Sequence, residues 1–180
     1  MYQILRQIAK TGIVTEPAPQ PDPSMRELEQ RLQDVLLKHF GRSLAIRHVD
    51  AGSCNGCELE IHACNSPHYN LERLGMRFVA SPRHADLLLV TGPVSRNMET
   101  ALRRTYDATP EPKLVVAIGD CGCTGGIFGE SYASRGRISN VIPVDVAVPG
   151  CPPEPLAIIQ GILEALTVSS KRSPGAAEGG

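Results

Sequence analysis

The sequence predicts an α/β fold in which an open, mostly parallel sheet carries helices on both faces. Short runs rich in leucine, isoleucine and valine have the character of buried strands, at residues 44–49, 76–80, 87–91, 114–118 and 144–148. Helical patterns lie between or after them, at residues 57–63, 97–106 and 156–166. Strands that alternate with helices in this way are typical of a sheet covered on both sides.

Length and composition are those of one ordinary globular domain. The chain has 180 residues, of which 42% are hydrophobic and 21% charged, so it can bury a core without disulfide bonds. The formal net charge of -1 disfavours strongly basic nucleic-acid-binding proteins and strongly acidic tail proteins. Tryptophan is absent and only 4% of residues are aromatic, which argues against a platform for stacking bases.

No segment has the pattern of a membrane span or a secretion signal. The longest apolar run, Leu114 to Ile118, is far shorter than the roughly 18 residues that a membrane helix needs. The stretch from Met1 to Pro17 contains neither a continuous apolar core nor a small-residue cleavage site. We therefore expect a cytoplasmic protein.

Changes in composition predict the domain organisation. Residues 1–23 form an N-terminal arm and a Pro-rich linker, and the weakly helical arm is expected either to fray or to dock on a partner or a membrane surface. Residues 24–168 form the α/β domain, which starts with a helix at 24–41 that opens on an S-x-x-E capping pattern. Residues 169–180 lack apolar content and are expected to be disordered.

Four cysteines lie just past the ends of three predicted strands. Cys54 and Cys57 follow the first strand, Cys121 follows the strand that ends at residue 118, and Cys151 follows the last strand. Open α/β sheets bind ligands at the carboxyl edge of their strands, so three distant loops would present four thiols to one crevice. Clustered cysteines in a reducing compartment indicate metal or redox chemistry more often than disulfides.

Four thiolates suit either a structural zinc ion or an iron–sulfur cluster. Zinc ribbons usually offer two C-x-x-C pairs, whereas here one pair is joined by two single cysteines on separate loops. The Cys151-Pro152 pair resembles the Cys-Pro at the end of ferredoxin cluster motifs. Glycines beside the cysteines would let the backbone approach a bulky inorganic core. A thioredoxin-like redox pair is a weaker alternative, because it leaves Cys121 and Cys151 unexplained.

The two remaining cysteines fit the pattern less directly. Cys64 is expected to be a core residue, because buried cysteine is common in protein interiors. Cys123 lies two residues after Cys121 and could compete with it as a ligand. Cys121 is favoured because it directly follows the strand and its Gly-Asp turn.

Several polar residues near these motifs have more than one interpretation. Glu58 and Glu60 could contact a partner or join a proton route, or they could simply favour the start of a short helix. The loop residues His68, Arg83 and His84 could make interface contacts, or they could be ordinary solvated side chains.

The segments GSCNGCELEI, KLVVAIGDCGCTGGIF and IPVDVAVPGCPPEP together closely resemble one protein family. It is the cluster-carrying small subunit shared by membrane-bound, energy-converting [NiFe] hydrogenases of the formate-hydrogenlyase type and by the B subunit of NADH:quinone oxidoreductase, complex I. The resemblance covers about Arg42 to Leu166. It implies a flavodoxin-like fold and one [4Fe-4S] cluster at the carboxyl edge of the strands. The implied ligands are Cys54, Cys57, Cys121 and Cys151.

The resemblance favours the hydrogenase side of the family. Complex I B subunits have two adjacent cysteines at the first site, whereas Cys54 and Cys57 are three apart, as in hydrogenase-type members. It therefore implies an electron-transfer subunit with no catalytic residue of its own, which exchanges electrons with the Ni–Fe site of a partner large subunit. Further iron–sulfur and membrane subunits would hold it at the cytoplasmic side of the inner membrane. A complex I-like subunit that passes electrons to quinone without nickel, and a zinc-stabilised binding module, remain as alternatives.

Overall fold

A computed structural model describes most of the chain. The described residues are 2–12 and 42–172, with Glu27, Gln30, Arg31 and Asp34 between them. These four single residues are helical, and the rest of the helix expected at 24–41 lies outside the described residues. The linker after residue 12 and the tail after residue 172 lie outside them as well.

Helices and strands alternate along the described chain, as the sequence predicts. The helices are α1 (Tyr2–Thr11), α2 (Gly56–Cys64), α3 (Arg96–Ala108), α4 (Gly119–Thr124) and α5 (Pro155–Arg172). The strands are β1 (Leu44–Asp50), β2 (Met76–Phe78), β3 (Leu87–Thr91), β4 (Leu114–Ile118) and β5 (Val146–Val148). All five predicted strands are present, although β2 and β5 are shorter than expected. Within the described residues, none of the helices has the length and apolar content needed to cross a membrane.

The five strands form one sheet in the order β2-β1-β3-β4-β5, and every neighbouring pair is parallel. This is the strand order of flavodoxin-like folds, so the predicted fold class is confirmed. The central strands β1 and β3 pair up to Asp50 and Thr91, and β3 and β4 pair up to Thr91 and Ile118. The carboxyl ends of these strands therefore lie side by side along one edge.

Apolar side chains cover the sheet on both faces. One buried cluster joins the sheet to α2 and α5 through residues such as Leu89, Ile61 and Ile162. A second cluster joins the sheet to α3 and includes Leu88 and Leu102. Successive residues of a strand point to opposite faces, so β3 is apolar at four consecutive positions, Leu87 to Val90, which serve the two clusters in turn. This explains why the central strands are continuous apolar runs rather than alternating ones.

Two helices differ from the sequence-based expectation. Helix α4 is not predicted from the sequence, because its segment GDCGCT contains two glycines, which are poor helix formers. The boundary set at residue 169 for a disordered tail needs correction, since α5 continues to Arg172. The core anchors the earlier turns of α5, and Lys and Arg are good helix formers that favour a helix carboxyl end.

Candidate metal centre

The four cysteines predicted as ligands occupy the loops and helix starts at the carboxyl edge of the sheet. Cys54 follows β1, Cys57 lies in the first turn of α2, Cys121 lies in α4 directly after β4, and Cys151 follows β5. Cys54 and Cys151 are exposed, whereas Cys57 and Cys121 are half-buried. The group of thiols is therefore open to the protein surface on one side.

The four thiols lie close enough to influence one another electrostatically. Burial, followed by the negative charges of Glu58 and of the other three cysteines, raises the pKa of the Cys57 thiol to about 12. Burial and then the charges of Cys151 and Cys54 also raise the pKa of Cys121. Without a cation, Cys57 and Cys121 therefore favour the protonated thiol. Among the described residues, no three His, Cys, Asp or Glu side chains are gathered tightly enough to hold a single metal ion. Cysteine sulfurs would bind a sulfur-preferring metal group as thiolates, because a coordinating thiol gives up its proton.

Two glycines make room for the thiol sulfurs themselves. Gly119 has φ 84°, and a Cβ on it would lie only 2.6 Å from Sγ of Cys57. Gly126 has φ 53°, and a Cβ on it would lie 3.0 Å from Sγ of Cys121. Both positions combine a left-handed backbone with a crowded environment, and glycine alone meets both demands without strain.

Asp120 joins the loop of Cys121 to the loop of Cys151. Its backbone N–H donates a hydrogen bond to the carbonyl oxygen of Gly150 at 2.8 Å. Its carboxylate accepts a hydrogen bond from the N–H of Gly150, also at 2.8 Å. This reciprocal pair fixes two of the cysteine-bearing loops relative to each other.

Asp50 organises the turn that leads to Cys54. One carboxylate oxygen accepts hydrogen bonds from the N–H groups of Gly52 and Ser53, each at 2.8 Å. The sequence alone assigns no role to this aspartate or to Asp120. The available signal is an aspartate at the end of a strand (Asp50) or two residues after it (Asp120), where its side chain can stabilise a turn.

Glu58 lies in the interior rather than at the surface, with only 8% of it exposed. Its carboxylate accepts a hydrogen bond from the hydroxyl of Thr91 and lies 3.6 Å from Nε2 of His48. The same nitrogen of His48 lies 3.0 Å from the Thr91 hydroxyl. These three side chains connect α2, β3 and β1 beside the cysteine edge. Burial lowers the pKa of His48, and the negative charges of Glu58 and Asp50 oppose that shift.

The two leftover cysteines point into the protein interior. Cys64 is fully buried, and its thiol donates to the carbonyl of Pro155 at 3.7 Å, which confirms it as a core residue. The Cys123 thiol donates to the carbonyl of Ala117 at 3.7 Å and packs against the core beside α3. Burial first of all raises the pKa of Cys64 to about 12 and that of Cys123 to about 11. Cys121, unlike Cys123, interacts with the other thiols.

The remaining polar candidates occupy more peripheral positions. Glu60 is half-buried on α2, and His68 is exposed with its ring edge-on to Tyr69. Arg83 and His84 are exposed in a short 3-10 turn directly before β3. That turn precedes the amino end of β3, whereas the cysteines follow the carboxyl ends of strands.

Large apolar side chains stand exposed close in sequence to the ligand candidates. Leu59, two residues after Cys57, is 60% exposed. Ile127 and Phe128, which follow α4, are 93% and 54% exposed.

Fold and site together define a flavodoxin-like α/β protein with four thiols at the carboxyl edge of its sheet. The family described as NADH ubiquinone oxidoreductase, 20 Kd subunit, matches residues 54–165, and the chain belongs to this family.

Relatives of the chain are subunits of several enzymes. The probable membrane-bound hydrogenase subunit mbhJ of Pyrococcus furiosus is 47% identical over 150 residues, which cover 83% of this chain and 89% of the relative. Formate hydrogenlyase subunit 7 of Escherichia coli is 47% identical over 131 residues, 73% of this chain and 51% of the relative. The B subunit of the NADH-quinone oxidoreductase of Desulfovibrio desulfuricans is 43% identical over 136 residues, 75% of this chain and 73% of the relative.

A solved structure extends the comparison to another kind of complex. A chain of the membrane-bound sulfane sulfur reductase, an archaeal respiratory membrane complex, matches with a TM-score of 0.65 and 33% identity. The match covers 80% of this chain and 78% of that one. The predicted resemblance is confirmed: the chain belongs to an oxidoreductase-subunit family and is related to hydrogenase subunits and to the B subunit of NADH-quinone oxidoreductase.

Proposed function

We propose that the chain is an electron-transfer subunit that holds one [4Fe-4S] cluster and serves the Ni–Fe site of a partner large subunit. The proposed ligands are Cys54, Cys57, Cys121 and Cys151. The observation that carries this proposal is the placement of these four cysteines, from three loops, at the carboxyl edge of the sheet, where Gly119 and Gly126 leave room for the sulfurs of Cys57 and Cys121. When bound, the cluster supplies one-electron transfer, and four thiolates match its four irons.

The chain's own residues prepare the site for this role. Gly119 and Gly126 leave space beside two of the sulfurs, and Asp120 holds two ligand loops together. Glu58 and Thr91 anchor the start of α2, which carries Cys57, to the end of β3. None of these groups is proposed to act on hydrogen, because proton reduction or hydrogen oxidation would occur at the partner.

Exposed features of the site support a covering partner. Cys54 and Cys151 are exposed. The apolar side chains of Leu59, Ile127 and Phe128 are also exposed, and they lie a few residues from Cys57 and Cys121 in the sequence. A large subunit seated there would bury this surface and exclude water from the cluster, which also shifts its reduction potential. The C-x-x-C spacing and the hydrogenase and formate hydrogenlyase relatives support a nickel-containing partner. We place the assembly, with further iron–sulfur and membrane subunits, at the cytoplasmic side of the inner membrane.

The decisive experiment is metal analysis of the complex purified anaerobically from its own host through a tag on this chain. We expect about four iron and four sulfide per chain from this subunit, additional iron from any partner clusters, and nickel alongside. Iron and sulfide without nickel in an intact complex would instead indicate a complex I-like carrier that passes electrons to quinone. Zinc without sulfide would leave a structural binding module.

Single substitutions assign the ligands within that complex. Cys151→Ala is expected to abolish the spectroscopic signal of this cluster, because it removes one of four iron ligands. Cys123→Ala is the matched control, since its thiol faces the Ala117 carbonyl, and the signal should persist. A full iron and sulfide complement in the Cys151→Ala chain would contradict the ligand assignment.

A further inference from the structure

Helix α1 carries a continuous apolar side that no described residue covers. At about 100° per residue, Ile4, Leu5 and Ile8 project from one side of the helix, with Tyr2 at its margin. These four side chains are 58–78% exposed, and none of the residues of α1 is buried. The helix is thus strongly amphipathic, and its apolar side faces solvent within the described structure.

The length of α1 means that something must stabilise it. It contains ten residues, and isolated helices shorter than about 12 to 15 residues are marginal in water. Most helices in proteins gain their stability by burying an apolar side. A surface that covers Ile4, Leu5 and Ile8 would provide this stabilisation.

The charges of α1 indicate which surface that is. The helix contains Arg6 and Lys10, which lie one turn apart on the side opposite the apolar one, and its sequence YQILRQIAKT has no acidic residue. A basic polar side opposite an apolar side is typical of helices lying in the plane of an anionic membrane surface. The tyrosine at the margin agrees, because its amphipathic ring favours the headgroup region.

We propose that α1 lies on an anionic lipid surface, with Ile4, Leu5 and Ile8 in the boundary between headgroups and acyl chains. Arg6 and Lys10 contact the lipid phosphates. The chain thereby has its own contact with the membrane, in addition to any contact made through a complex. This proposal does not depend on the cluster or on nickel, so the two can fail separately.

The absence of tryptophan from the chain allows a direct test of orientation. Leu5→Trp places a single fluorescent reporter on the apolar side, and Gln3→Trp places one on the polar side as a matched control. The full-length variants are mixed with vesicles of equal parts phosphatidylcholine and phosphatidylglycerol, and separately with pure phosphatidylcholine. We expect a blue shift and protection from an aqueous quencher for Leu5→Trp on the anionic vesicles, and little change for Gln3→Trp.

Vesicle co-sedimentation of the full chain measures how much the apolar and the basic side chains of α1 each contribute to binding. Leu5→Gln/Ile8→Gln should weaken binding by tenfold or more, since about 1.4 kcal/mol is tenfold and each buried large apolar side chain exceeds it. Arg6→Gln/Lys10→Gln should weaken binding to anionic vesicles by about tenfold or more and reduce its salt dependence, with little effect on neutral vesicles. Gln3→Ala on the polar side should leave binding unchanged.

Two results would overturn the proposal. One is a Leu5→Trp emission that stays unshifted on both kinds of vesicle. The other is a blue shift of Leu5→Trp emission that occurs only in the lipid-free purified complex and not on vesicles. That result would mean that the apolar side of α1 packs against a protein subunit. The iron content of each variant reports separately on the folded domain. If a variant loses the fluorescence shift but keeps its iron, the substitution affects α1 alone.

Discussion

Gly119 leaves the space that the thiol of Cys57 occupies. The two residues come from different parts of the fold, Gly119 from the start of α4 and Cys57 from the start of α2. A Cβ at position 119 would lie 2.6 Å from Sγ of Cys57, and the φ of 84° there disfavours any side chain. A single missing methyl group therefore lets two ligand loops approach each other.

Gly119→Ala is expected to lower cluster content sharply and to destabilise the fold by about 1–3 kcal/mol, through overpacking and a strained backbone. Iron per chain and urea unfolding measure these effects. Gly129→Ala is the matched control, because Gly129 also has a positive φ of 52° but open space around its Cβ position. Equal loss of iron in both variants would contradict the role of the contact with Cys57.

Asp120→Ala should destabilise the protein by about 1–3 kcal/mol, because it leaves the N–H of Gly150 without its carboxylate acceptor. We also expect slower cluster incorporation, since the loops of Cys121 and Cys151 lose a bond that connects them. Urea unfolding and the rate of anaerobic reconstitution measure the two effects. Asp107→Ala, at an exposed position of α3, should change neither quantity.

Glu58 and Thr91 should be energetically coupled. Thr91→Val removes a hydroxyl that donates to the buried Glu58 carboxylate, and leaving that group unpaired costs about 1–3 kcal/mol. Glu58→Gln in the Thr91→Val background should cost less than in the wild type, because the donor is already gone. A double-mutant cycle in urea measures the coupling. Effects that add within about 0.5 kcal/mol would show independence.

His48 should make stability depend on pH in the mildly acidic range. Burial lowers its pKa below 6.5, so the unfolded chain binds more protons than the folded one around and below that pH. The stabilisation is therefore complete above pH 6.5 and is lost as pH falls through the lowered pKa. His48→Gln should shrink the stability difference between about pH 7.5 and pH 5.5 in urea unfolding. The surface variant His68→Gln controls for the loss of an imidazole.

Ile127→Asp should weaken the affinity for the large subunit more than about tenfold, because a charge replaces an apolar side chain in the proposed interface. The iron content should stay unchanged, since Ile127 is not one of the proposed cluster ligands. Co-purification and titration of the separated subunits measure the change. Arg104→Ala, exposed on α3, is the control. If the affinity of Ile127→Asp for the large subunit is not weakened, the interface does not include this part of the surface.

The strands and the family resemblance could be predicted from the sequence because their signals are local. A strand buried on both faces needs a continuous apolar run, and β3 and β4 match their predicted runs residue for residue. The cysteines follow strand ends directly in the chain, so the shared edge follows from parallel strand order. The cysteine motifs also identified the family, which the relatives confirm.

The helix α4 and the interior position of Glu58 could not be read from the chain. The glycines in α4 have poor helix propensity, and contacts with the sheet and with neighbouring loops stabilise the helix instead. An acidic residue at the start of a helix normally faces water, but Glu58 is buried because Thr91 and His48 meet it from two strands.

Local chemistry thus accounts for which residue types follow which strands, whereas the orientation of each thiol depends on packing. Cys121 and Cys123 are the same residue type in the same segment. Residues two apart on a helix are related by a rotation of about 200°, so their side chains point to nearly opposite sides. Docking of α4 on the sheet turns Cys123 toward the Ala117 carbonyl and leaves Cys121 among the other thiols. That rotation is set by contacts with residues distant in the chain, and only the folded structure contains them.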